Sequence, residues 1–102
     1  MTNVDGLIAD AKSLLQELIQ TPSFSREEND SAALIRQFFN KFGIPTEQIG
    51  NNVIAYSKYA NPSKPNVLLN SHHDTVKPNP GYQNDPFDPI IKDGKLYGLG
   101  SN

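Results

Sequence analysis

Apolar residues recur at three- and four-residue spacing at the start of the chain: Leu7, Ile8, Ala11, Leu14, Leu15, Leu18 and Ile19. That period predicts an amphipathic helix over residues 4 to 20. Thr21-Pro22 ends it, because a residue before proline avoids helical dihedrals. Ser25 with Glu28 three residues later reads as a capping box that opens a second helix. Ala32, Leu34, Ile35, Phe38, Phe39 and Phe42 supply its apolar face. Gly43 stands where a left-handed stop is needed, and Pro45 follows.

The period then shortens. In TEQIGNNVIAYSKY, an Asn51-Asn52 turn before the β-rich segment Val53 to Tyr59 predicts a hairpin. ANPSKP, residues 60 to 65, is a polar, proline-rich loop. The apolar run in residues 66 to 71, with Val67, Leu68 and Leu69 at its centre, reads as the most buried strand. NPGYQNDPFDP is a turn-rich surface loop, and PIIKDGKLYG predicts a second hairpin closed by Asp93-Gly94. Helices followed by strands point to an α/β layered structure.

Composition narrows the function classes. The 102 residues suffice for one small domain with a modest core. A net charge of -2 without a basic stripe argues against nucleic acid. Cysteine is absent, so neither a disulfide framework nor a thiolate zinc site is available. The N-terminus has no signal-peptide pattern, and no apolar run approaches the length of a membrane span. A cytoplasmic protein that engages neither membrane nor nucleic acid is expected.

The chemistry concentrates in NVLLNSHHDTVKP, residues 66 to 78, which holds both histidines of the chain. In extended backbone, His72 and Asp74 share one side and His73 faces the other. A metal-bound imidazole commonly donates its second N–H to a carboxylate, which fixes tautomer and orientation. His-x-Asp therefore suits a metal ligand with its orienting partner, and it equally suits a solvated loop histidine. Zinc takes three or four protein ligands. Asp85, Asp88 and Asp93 are further candidates by residue type alone, and Asp93 is equally explained as a turn residue.

With these residues in view, the chain resembles the M20 family of zinc metallopeptidases and deacylases. Ser71, His72, Asp74 and Val76 match its small residue followed by His-x-Asp-x-Val. NDPFDPIIKDGKLYGLGSN is similar to the Asp-Pro-Phe, Asp-Gly-Lys-Leu-Tyr-Gly and Gly-x-Gly segments that follow in the family, and LIQTPSFSREE to its N-terminal helix end. Two positions depart: His73 at the variable place, and Lys77 before Pro78. The resemblance implies the N-terminal part of a three-layer α/β/α zinc-exopeptidase-like catalytic domain, with two helices and then a mixed β-sheet segment.

It further implies His72 as a metal ligand and Asp74 as the catalytic partner that orients the imidazole. The cofactor would be two zinc ions per site in the complete enzyme, with cobalt as an alternative ion, and the chemistry hydrolysis of an amide bond by activated water. In the family, a bridging aspartate and a glutamate pair follow the glycine-rich turn, where residue 103 would stand. Residues 1 to 102 are thus expected to be an incomplete portion of the catalytic domain, without the dimerisation domain, inactive alone and supplying only the first ligand. The motif combination looks most like acetylornithine deacetylases and succinyl-diaminopimelate desuccinylases. An N-acyl amino acid is the expected substrate, with N-acetylornithine first. A homodimer is expected for the complete protein. A dipeptidase or tripeptidase of the same family, or a non-catalytic relative, remains open.

Overall fold

The computed structural model describes residues 3 to 101. Helix α1 spans Val4–Gln20 and α2 spans Asn29–Lys41. Strands β1 (Thr46–Ile49) and β2 (Asn52–Ala55) form one antiparallel pair, β3 (Ile90–Lys92) and β4 (Lys95–Tyr97) another. The fold is mixed α/β.

Helix α1 has the bounds that its apolar period predicts. Asn3 caps it, its Oδ1 accepting from the Gly6 N–H at 3.1 Å. Thr21 leaves the helix in extended backbone ahead of Pro22, and its hydroxyl donates to the Glu17 carbonyl. Helix α2 begins later than a capping box at Ser25 requires. Its N-cap is Glu28, without a side-chain cap bond. Glu28 Oε1 instead accepts from the Arg26 N–H at 2.8 Å, two residues back, where Arg26 sits at φ 72°. The predicted box is therefore not made, because its glutamate stands at the cap rather than one turn inside. At the other end Gly43, at φ 69°, donates to the Asn40 carbonyl and Ile44 to that of Phe39. This is the paired bond pattern of a Schellman stop.

Both hairpins form. Asp93-Gly94 closes β3–β4 with both residues at positive φ, the geometry of a type I′ turn. The β1–β2 turn lies one position before the predicted one, at Gly50-Asn51, with Ile49 opposite Asn52. Gly50, at φ 60°, supplies the left-handed first position, which makes it the natural corner. Arg36 ties α2 to β1 by donating to Thr46 Oγ1 and Gln48 Oε1.

Residues 66 to 71 do not form a strand. Val67, Leu68 and Leu69 are exposed at 86, 85 and 91%. A buried strand needs ladder partners and covered faces, and among the described residues each strand pairs only within its own hairpin. Among the described residues, the single parallel contact is the bridge between Phe24 and Thr75. The core is correspondingly small. Ile19 and Ala32 are its buried apolar residues, joined by buried Ser23 and Ser31. The Cα radius of gyration is 15.5 Å, against about 13 Å for a compact chain of about 100 residues.

Candidate metal-ligand site

The segment after residue 71 is held by the linker between the helices. The Thr75 N–H donates to the Ser23 carbonyl at 2.7 Å, and Ser23 Oγ donates to the His73 carbonyl at 2.8 Å. These two bonds fix the backbone on either side of Asp74. The alternation expected of extended chain follows: His72 and Asp74 meet on the open side, and His73 turns inward.

His72 Nδ1 lies 3.0 Å from Asp74 Oδ1 and 3.1 Å from the Asp74 carbonyl oxygen. Both neighbours are acceptors, so Nδ1 carries a proton, and in the neutral ring Nε2 keeps its lone pair. The His72 side chain is 84% exposed, and that of Asp74 is 34% exposed. The other Asp74 oxygen, Oδ2, accepts from the Ser25 hydroxyl. The Ser25 bond, followed by that of His72, holds the Asp74 carboxyl below the ordinary aspartate range.

The His72–Asp74 pair opens on a cavity of ≈ 470 Å³, lined on its apolar side by Leu15, Ile19 and Leu99 and closed near the motif by Gly100. Close approach calls for glycine at 98, and a backbone at φ 80° favours it at 100. A Cβ on Gly98 would lie 2.5 Å from Ile19 Cγ2, and one on Gly100 would lie 3.0 Å from Thr75 Cγ2. Thr75 Oγ1 is buried in this wall without a hydrogen-bond partner.

The remaining aspartate candidates are not brought to this point. Asp85 Oδ1 accepts from the Phe87 N–H as a local turn, and Asp93 occupies the hairpin corner. Among the described residues, no group of three or more His, Cys, Asp or Glu could hold a metal ion. The donor set that is present fits one corner of such a site. It offers one accessible imidazole nitrogen, with its tautomer fixed by a carboxylate, as a metal ligand requires. Sequence reasoning missed Ser25 in this role. The Ser-x-x-Glu spacing drew it to a helix cap, whereas its hydroxyl bonds a carboxylate 49 residues away.

No protein-family model matches the chain. Several curated relatives named succinyl-diaminopimelate desuccinylase match the chain. The one from Wolbachia pipientis wMel is 34% identical over 99 residues, covering 90% of this chain and 24% of the relative. That from Helicobacter pylori (strain HPAG1) is 32% identical over 109 aligned positions, covering 90% of this chain and 28% of the relative. That from Anaplasma marginale (strain Florida) is 30% identical over 99 residues, covering 91% of this chain and 26% of the relative. The chain thus spans about a quarter of the length of the curated relatives it matches. These matches run through the His72–Asp74 motif and its flanking elements, and they support the resemblance to the M20 family of metallopeptidases and deacylases.

Proposed function

We propose that the full-length protein is a metal-dependent hydrolase that removes the acyl group from an N-acyl amino acid, with zinc as the metal. The observation that carries this reading is the bonded His72–Asp74 pair, with an imidazole 84% exposed beside a cavity. A bound divalent ion would supply Lewis acidity and an activated water. This chain's residues would supply one ligand and its support. His72 Nε2 would donate its lone pair to the ion, Asp74 would fix the tautomer, and Ser25 holds Asp74 in place. Further ligands would come from outside residues 1 to 102, which on this reading form the N-terminal portion of a catalytic domain. A separate dimerisation domain and a homodimeric state belong to the same proposal, as does a cytoplasmic location. No helix among the described residues is long and apolar enough to cross a membrane.

For the substrate, the names of the relatives favour an N-succinylated diamino acid. The motif likeness in the sequence put N-acetylornithine first, but the relatives above are desuccinylases. N-succinyl-diaminopimelate carries one more carboxylate on its acyl group and one more on its diamino acid than N-acetylornithine, and each favours a cationic partner in the pocket. The test is hydrolysis by purified full-length protein with added zinc, comparing N-succinyl-diaminopimelate, N-acetylornithine and a dipeptide. Faster turnover of the succinylated substrate is expected. Preference for acetylornithine or for the dipeptide would reassign the substrate, and no turnover of any amide would overturn the hydrolase reading in favour of a non-catalytic relative.

A further inference from the structure

His73 occupies a position to which the sequence assigns no ligand role, yet both nitrogens of its ring are tied to other parts of the chain. Its Nε2 lies 2.9 Å from the Asn51 carbonyl oxygen. A carbonyl only accepts, so Nε2 bears the proton. In the neutral ring, Nδ1 then accepts from the Ser31 hydroxyl at 2.7 Å. Ser31 is fully buried in the first turn of α2, and its Oγ also lies 3.1 Å from the Glu28 carbonyl oxygen. Asn51 sits in the β1–β2 turn, and its amide donates to Glu28 Oε2 at 3.2 Å. One imidazole thus joins three separate parts of the chain: the motif, the start of α2 and the hairpin corner.

Among the described residues, His72 by contrast bonds only to Asp74, within its own loop. Asp74 and the adjoining backbone reach Ser23 and Ser25, which belong to a linker rather than to a helix or strand. The motif's direct tie to regular structure runs through His73. Side chains of successive residues in extended backbone point to opposite sides. Anchoring His73 inward therefore sets the direction in which His72 points outward.

We propose that His73 is a positioning residue, its ring locked between Ser31 and Asn51 so that His72 Nε2 is held in the direction a metal ion would be bound. This inference rests on the reading of His72 as a metal ligand. It needs no titration and no contact between His73 and metal. Partners that orient a ligand are commonly worth about 10- to 100-fold in metal affinity.

The experiment uses the full-length protein, stripped of metal and titrated with Zn²⁺ in competition with a chromophoric chelator, alongside the visible absorption of a Co²⁺-loaded sample. His73→Ala and Ser31→Ala are each expected to weaken Zn²⁺ binding about 10-fold or more and to alter the Co²⁺ bands. His73→Gln, whose amide N–H can still reach the Asn51 carbonyl, should recover most of the affinity. If His73→Ala fails to fold, Ser31→Ala and His73→Gln decide the matter, since the first removes only a hydroxyl. His72→Ala is the reference. Folded Ser31→Ala and His73 variants with parental affinity and spectrum, beside a His72→Ala variant that loses metal, would overturn the positioning role alone. Parental affinity in His72→Ala as well would overturn the ligand reading and the positioning role with it.

Discussion

Substituting Gly98 by alanine tests the packing that brings the glycine-rich segment against the site. An added Cβ would lie 2.5 Å from Ile19 Cγ2, 2.7 Å from Cδ1 and 3.0 Å from Cγ1. Carbon pairs rest at about 3.5–4.0 Å, so two contacts fall short by about 1 Å. Ile19 is only 4% exposed, and a β-branched side chain in a helix is nearly confined to one χ1 well. Its Cγ2 therefore cannot swing aside. The segment cannot easily retreat either, because the Leu99 N–H is bonded to the Pro86 carbonyl at 2.8 Å. Overpacking of this kind costs about 1–3 kcal/mol. Urea denaturation of the full-length protein should show a lower midpoint with an unchanged slope. Gly81→Ala is the control, since its Cβ would meet only Asn79 Oδ1 at an ordinary 3.6 Å. In an Ile19→Ala background, the part of the cost of Gly98→Ala that comes from this clash should disappear, leaving the strain of an alanine at φ 157°. A Gly98→Ala midpoint within experimental error of the parent, or an equal cost in both backgrounds, would refute this account of the packing.

Two further outcomes follow from the site and the surface. Asp74 is held below the ordinary aspartate range, chiefly by Ser25, so this pair contributes stability above the ordinary value of about 4 and loses it as pH falls below that value. In metal-free protein, Ser25→Ala should raise the Asp74 titration seen by carboxyl ¹³C NMR, and an unmoved titration would contradict the bond. The exposed run Val67-Leu68-Leu69 should make residues 1 to 102, prepared alone, associate with rising concentration in sedimentation. Leu68→Lys should reduce that association, and a monomer at all concentrations would speak against it.

Local signals carried most of the secondary structure. The α1 bounds follow from a 3.6-residue period stopped by Pro22, and the β3–β4 corner from Asp93-Gly94, because each depends on neighbours in sequence. The His72–Asp74 contact is likewise local, a consequence of two-residue alternation. The one-position shift of the β1–β2 turn was a local miss at Gly50, and the other failures depended on distant partners. The apolar run 66 to 71 has the composition of a buried strand, but burial requires neighbouring strands, and these are not supplied among the described residues. Ser25 and Ser31 meet the motif across 49 and 42 residues. Ser25 carried a plausible local meaning as a helix cap, and nothing in the spacing of either serine signals the long-range bond. His73 was legible as facing away from Asp74, but not as an anchor, because its partners lie in a helix start and a turn that only the fold brings together.

The central claim is that His72, oriented by Asp74, is a metal ligand. The most direct test is zinc content and affinity of the full-length protein after dialysis, measured for the parent and for His72→Ala and Asp74→Asn. The parent should retain zinc, His72→Ala should lose at least one ion per chain, and Asp74→Asn should bind about 10- to 100-fold more weakly. Equal zinc stoichiometry and affinity in all three would contradict it.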